Sequence, residues 1–180
     1  MKDLRQFRIP FIGLKKGVHY FDYEISQEFF SFFEASPVHE SEVNILLRFE
    51  KKEDFFILKF DMGGSVKVAC DRCLERIRMP FEADYTVYVK FENERFEQQH
   101  NEEENDIIFI AANETEIDVS QLIYEFFHLS MPMRKNCEDF QLTNPPCNQD
   151  VLEYLNNDQK ENSEEIDPRW EALKNLKRSN

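Results

Sequence analysis

The sharpest chemistry in this chain lies in Cys70-Asp71-Arg72-Cys73. Two thiolates separated by two residues can grip one tetrahedral metal ion from a tight turn. The same spacing serves thiol–disulfide chemistry, but there a helix N-terminus inside a βαβ unit lowers one thiol pKa. Here the pair falls between two strand-like stretches, so metal binding ranks ahead of redox. A closed zinc site needs further ligands, and Cys137 and Cys147 are the only other cysteines. They sit in a stretch rich in Asn and Pro (Asn136, Asn144, Pro145, Pro146) that can fold back to present both sulfurs. The set Cys70, Cys73, Cys137 and Cys147 predicts a structural zinc, because four protein ligands leave no position for a catalytic water. His39 and His128 are substitute ligands. The plainer alternative makes Cys70 a core residue on a strand and leaves the other thiols incidental.

Other catalytic arrangements are absent from the pattern. His19, His39, His100 and His128 lie in no His-Glu-x-x-His or nucleophile-elbow context. Asp61-Met62-Gly63-Gly64-Ser65 lacks the spacing and the lysine of a phosphate loop and predicts a hairpin turn. The carboxylates gather in loops, where they more often solvate than catalyse. The chain therefore reads as a protein that is not an enzyme, with a hydrolase or nuclease site assembled in space as the rival. Lys67, Arg72, Arg76 and Arg78 form a local basic region around the cysteine turn. A phosphate contact belongs there if anywhere, and the alternative is that these charges are the solvent face of two strands.

The charge balance constrains the partner. The chain carries 22 basic and 36 acidic residues, for a net charge of −14. A bare nucleic-acid binder neutralises phosphates with Lys and Arg, whereas a uniformly acidic chain favours a basic partner or simply gains solubility. Residues 1–20 show no apolar secretory core. No run approaches the ~20 apolar residues of a membrane span. Together these predict a cytoplasmic protein, in which cysteines stay reduced or bind metal.

Hydrophobic alternation supplies the elements that position these groups. Phe21, Tyr23 and Ile25 alternate with acids, as do Val43, Ile45, Leu47 and Phe49 with polar residues. Phe56-Leu58-Phe60, Val66-Val68, Ile77-Met79-Phe81 and Tyr85-Val87-Val89-Phe91 continue the pattern. The stretch 92–106 is a solvated acidic loop, and 107–110 returns as a short strand. A helix over 118–129 is predicted with Asp118 as its cap, Gln121 completing a capping box, and Val119, Leu122, Ile123 and Phe126 as its apolar stripe. The fold class is α+β: an antiparallel strand-rich body, either a sheet or a partly closed barrel, with one buried helix and a C-terminal helix. The domain spans 1–155, an acidic linker 156–166, and a helix capped by Asp167 spans 167–180.

In order and spacing, several of these pieces resemble the YceD family of large ribosomal RNA accumulation proteins. Val68-Ala69-Cys70-Asp71-Arg72-Cys73-Leu74-Glu75 is similar to that family's central signature. Ile117-Asp118-Val119 through Leu129-Ser130-Met131-Pro132 is similar to its acidic, helix-forming segment, and Asp167-Pro168-Arg169-Trp170 to its closing helix. Leu14-Lys15-Lys16-Gly17-Val18-His19 matches an early element. The resemblance implies a non-enzymatic role in accumulation or processing of large-subunit ribosomal RNA. Cys70 and Cys73 correspond to the family's cysteine pair. The expected partner is a basic ribosomal protein or a pre-ribosomal large subunit, with an RNA-binding module built on Arg72–Arg78 as the alternative.

Overall fold

The computed structural model describes residues 4–34, 38, 40–92, 107–140 and 147–161, with side chains as far as residue 156. Most of the acidic stretch 92–106, His39, His100, the linker beyond residue 161 and the helix expected over 167–180 lie outside these residues. The described chain is α+β. Its central element is an open five-stranded sheet in the order β2-β3-β4-β5-β6. The strands are β2 (Gly17–Ile25), β3 (Glu40–Lys51), β4 (Phe55–Ala69), β5 (Arg76–Phe91) and β6 (Ile107–Ile110). A two-stranded sheet joins β1 (Arg8–Ile9) to β7 (Ile117–Asp118). The helices are α1 (Gln27–Phe30), α2 (Ser120–Leu129), α3 (Cys137–Phe140) and α4 (Gln149–Glu161).

Alternation decides which way each strand faces. Val43, Ile45, Leu47 and Phe49 of β3 and Phe56, Leu58, Phe60 and Met62 of β4 are all buried, while Glu42, Asn44, Lys59 and Asp61 between them are exposed. Register follows, since β3 and β4 pair antiparallel with Leu47 opposite Phe60 and Phe49 opposite Leu58. A slip of one residue would turn both apolar rows into water. The inner face is covered by α1, α2 and the N-terminal segment through aromatic contacts. Phe127 lies 4.6 Å from Phe30 and 4.7 Å from Phe81, and Phe126 stacks on Tyr85 at 4.2 Å, centroid to centroid. Phe7 meets Tyr23 and Phe29, and Phe11 meets Phe56. Each fully buried ring contributes roughly 2–3 kcal/mol of burial, so the phenylalanine richness is the stability of this core.

The structure departs from the sequence expectations at several places. Gly63 and Gly64 make no hairpin turn; β4 runs through them, pairing Gly63 with Asn44 and Gly64 with Val43. Their role is spatial, because a Cβ on Gly64 would stand 2.1 Å from the Glu42 carbonyl oxygen. Two short strands at each side of the cysteine turn are thus two long ones. β5 continues across Pro80. Since β6 pairs only with Tyr88–Phe91, one side of β5 at Pro80 has no strand neighbour among the described residues, a setting in which a sheet tolerates proline. β6 is parallel to β5, and the sheet is open rather than a barrel, with β2 and β6 at its edges. Val119, not Asp118, is the residue before α2; Asp118 ends β7, although its Oδ1 accepts from the Ser120 N–H at 2.9 Å. Gln121, however, bonds to Glu125 instead of reaching back, so no capping box forms. Phe127, with Val119 and Ile123, is the fully buried row of α2, while Leu122 and Phe126 are partly buried. The helix α4 starts beyond Cys147 and continues through 156–161, where the sequence suggested a linker.

The described residues fall into two compact units. One is drawn from Met1–Val68 and Arg78–Arg134 and holds the sheets, α1 and α2. The other is drawn from Ala69–Ile77 and Lys135–Asn180 and holds the cysteine turn, α3 and α4.

Candidate metal centre

The second unit places its chemistry at the turn between β4 and β5. There the Cys70 N–H donates to the Glu75 carbonyl at 2.8 Å and the Leu74 N–H donates to the Cys70 carbonyl at 3.0 Å. These bonds close a loop around Cys70-Asp71-Arg72-Cys73 and carry Leu74 into the left-handed region at φ 62°. A non-glycine residue there costs about 1 kcal/mol or more. The Leu74 side chain is 74% exposed, so no burial of its own offsets that cost. The bend brings backbone N–H groups of Arg72 and Cys73 to the Cys70 sulfur, and the start of α3 brings that of Cys137.

A second segment is stitched to this turn. The Asp71 N–H donates to the Lys135 carbonyl at 2.8 Å, and the Lys135 N–H returns to Asp71 Oδ2 at 2.7 Å. Arg72 pairs with Glu138 at 2.9 Å. The result sets Cys137, the first residue of α3, against the turn, with its Sγ 3.5 Å from that of Cys73. Cys70, Cys73 and Cys137 are all buried, and their sulfurs lie within 4.8 Å of one another. All are free thiols.

Burial pushes the Cys70 thiol up, yet the N–H groups of Cys73, Arg72 and Cys137 and the neighbouring Cys137 thiol outweigh it and bring Cys70 down to about 7. Cys137 is pushed up, first by burial and then by the thiols of Cys73, Cys70 and Cys147. A lowered thiol beside a raised one is an electrostatic setting that a divalent cation relieves, since metal binding releases thiol protons. Three soft, buried donors and a turn that already aims N–H groups at sulfur fit zinc. Cys147 precedes the cap of α4, where Asn148 Oδ1 accepts from the Val151 N–H at 3.4 Å. It is partly exposed, neighbours Cys137, and stands outside the cluster of three.

The other sequence candidates separate. His128 belongs to the sheet-bearing unit, in ring contact with Phe30, Tyr124 and Phe127, and joins no group of ligating side chains among the described residues. Lys67 pairs with Glu40, Arg72 with Glu138, and Arg78 with Glu42 and the Ser65 hydroxyl. Arg76 is an exposed residue that begins β5. Sequence reasoning missed Leu74, Asp71 and Lys135 as parts of the site. No residue type flags a leucine at positive φ, and the Asp71–Lys135 link depends on tertiary proximity.

Residues 58–177 match the family described as large ribosomal RNA subunit accumulation protein YceD. The chain belongs to this family. The match covers both cysteine-bearing segments of the centre and most of β4 and β5. No curated protein and no solved structure matches the chain. Membership in the YceD family ties the chain to large-subunit ribosomal RNA accumulation, and the family is described by that role rather than by a reaction. Among the described residues no helix is long and apolar enough to cross a membrane.

Proposed function

We propose that this protein is a non-enzymatic, cytoplasmic factor that supports large-subunit ribosomal RNA accumulation and assembly of the large ribosomal subunit. It does so by holding a basic ribosomal protein or a precursor particle. Membership in the YceD family across residues 58–177 is the observation that carries this reading. The net charge of −14 supports a basic partner, through electrostatic complementarity that speeds encounter and weakens with salt. The carboxylate pairing of Lys67, Arg72 and Arg78 supports protein contact over phosphate contact, because a phosphate would have to displace each acid.

In this reading Cys70, Cys73 and Cys137 hold a structural zinc, with Cys147 as the fourth ligand. The ion joins the turn after β4 to the first residue of α3 and, through Cys147, to the chain before α4. The test is the ratio of large- to small-subunit ribosomal RNA, with precursor ends mapped, in cells depleted of the protein. A selective fall in the large-subunit RNA, restored by the wild-type chain, is expected. An unchanged ratio with normal ends refutes the assembly role.

A further inference from the structure

The solvent face of the five-stranded sheet plays no part in the metal centre and belongs to the other unit. Residues directly opposite one another on adjacent strands share a side. Asp22 lies opposite Leu46, and Leu46 opposite Asp61; Glu24 lies opposite Asn44, and Asn44 opposite Gly63. With Glu82 and Asp84 of β5 they line a trough of about 960 Å³. Elsewhere on this face the acids are matched. Glu42 holds Arg78, Glu40 holds Lys67, and Glu50 holds both Arg48 and Lys52. Among the described residues, Asp22, Glu24, Asp61, Glu82 and Asp84 alone line the trough as acids, and none has a cation partner.

The floor of the trough is unusual in a second, independent way. Leu46 stands 42% exposed between two aspartates, and Tyr20, one step along β2 from Asp22, is 61% exposed. Gly63 leaves open space where a Cβ would stand. An apolar side chain flanked by unpaired acids on an open strand surface gains from a cover that brings both methylenes and cations. Lysine and arginine side chains are that cover, since their stems lie on apolar surface while their heads reach carboxylates.

We propose that this sheet face docks an extended lysine- and arginine-rich segment of a protein partner. The segment lays its cations over Asp22, Asp61 and Asp84 and its aliphatic stems over Leu46 and Tyr20. The unpaired carboxylates repel phosphate, which removes RNA as the occupant. The proposal rests on the assembly reading above and gives it a surface.

The test is amide chemical-shift mapping on the full-length chain, titrated with a short lysine- and arginine-rich peptide. An acidic peptide of equal length and a single-stranded RNA serve as controls. The basic peptide shifts the amides of residues 22–24, 44–46, 61–63 and 82–84, more weakly as salt rises. The variant carrying Asp22→Asn, Asp61→Asn and Asp84→Asn binds it at least about tenfold more weakly with undiminished melting temperature. Shifts that map off this face, equal binding by the triple variant, or RNA occupying the trough overturns the proposal. In depleted cells the triple variant fails to restore the RNA ratio where wild type succeeds, and restoration by the variant also overturns it. Failure of the wild-type chain itself in those cells refutes the assembly role instead, and leaves the peptide map to decide the surface.

Discussion

At the residue scale, the thiols and one phenol carry the sharpest consequences. Purified protein is expected to hold about one equivalent of zinc, because three buried sulfurs already converge. Cys73→Ser removes a ligand 3.5 Å from Cys137, so it should lose the metal and lower the melting temperature, as read by elemental analysis and calorimetry. Protein that is metal-free as isolated, with melting indifferent to chelator, would sink the zinc assignment. Tyr23 makes a separate prediction. Burial, and then the nearby Asp118 charge, raise its phenol from the ordinary 10.0 to about 12. Its hydroxyl meets no hydrogen-bond partner among the described residues. A folded-state pKa above the unfolded one gives stability that is full below pH 10.0 and is lost as pH rises through about 12. Tyr23→Phe should erase that alkaline loss and raise stability at neutral pH by about 1 kcal/mol, measured as urea midpoints on both sides of this window.

At the scale of elements, two adjacent glycines should behave oppositely. Gly64→Ala drives a methyl into the Glu42 carbonyl and the Val43 Cα, at 2.1 and 2.8 Å. It must push β3 from β4, at a cost of about 2 kcal/mol or more. Gly63→Ala meets nothing within 4 Å and should stay within about 1 kcal/mol of wild type. Thermal denaturation of the two variants compares them directly, and equal losses would mean that β4 does not run through both. The strands show what a sequence can convey. Alternation at Val43–Phe49 and Phe56–Phe60 marks burial faces because period and pleat coincide. It says nothing of where a strand stops, so two glycines inside β4 read as a turn. It says equally little about β6 lying parallel to β5, which the connection decides. Asp118 was recognisable by type as an acceptor for the first N–H of α2, though Val119 is the residue before that helix. Its partner Gln121 went to Glu125 because that residue lies on the next turn of the same face.

For the whole molecule, a net charge of −14 with unpaired acids gathered on one sheet face implies self-repulsion in the folded state. Moderate salt should therefore raise the melting temperature by about 2–4 °C before specific ion effects intervene. A scan at rising sodium chloride checks this, and a monotonic fall would mean that the ion pairs outweigh the repulsion. The division into two units was less legible than the strands. Cysteine spacing pointed to Cys70 and Cys73 as one half of a centre, and counting left Cys137 and Cys147 for the other. Beyond those two cysteines, nothing in the residues from 135 onward announces that they assemble with a turn so far back in the chain, because the tie runs from the Lys135 backbone to the Asp71 N–H and carboxylate.

That separation fixes an order of events during synthesis. Cys73 and Cys137 are 64 residues apart, so at ~5–20 residues per second the turn waits about 3–13 s for its third sulfur. Over that interval the strands that flank it can already pair, while the two thiols have no third donor. A chain released between Ile110 and Cys137 holds all five strands of the sheet but lacks the third sulfur of the cysteine turn. The turn thus gains its third sulfur only in a chain that extends through Cys137.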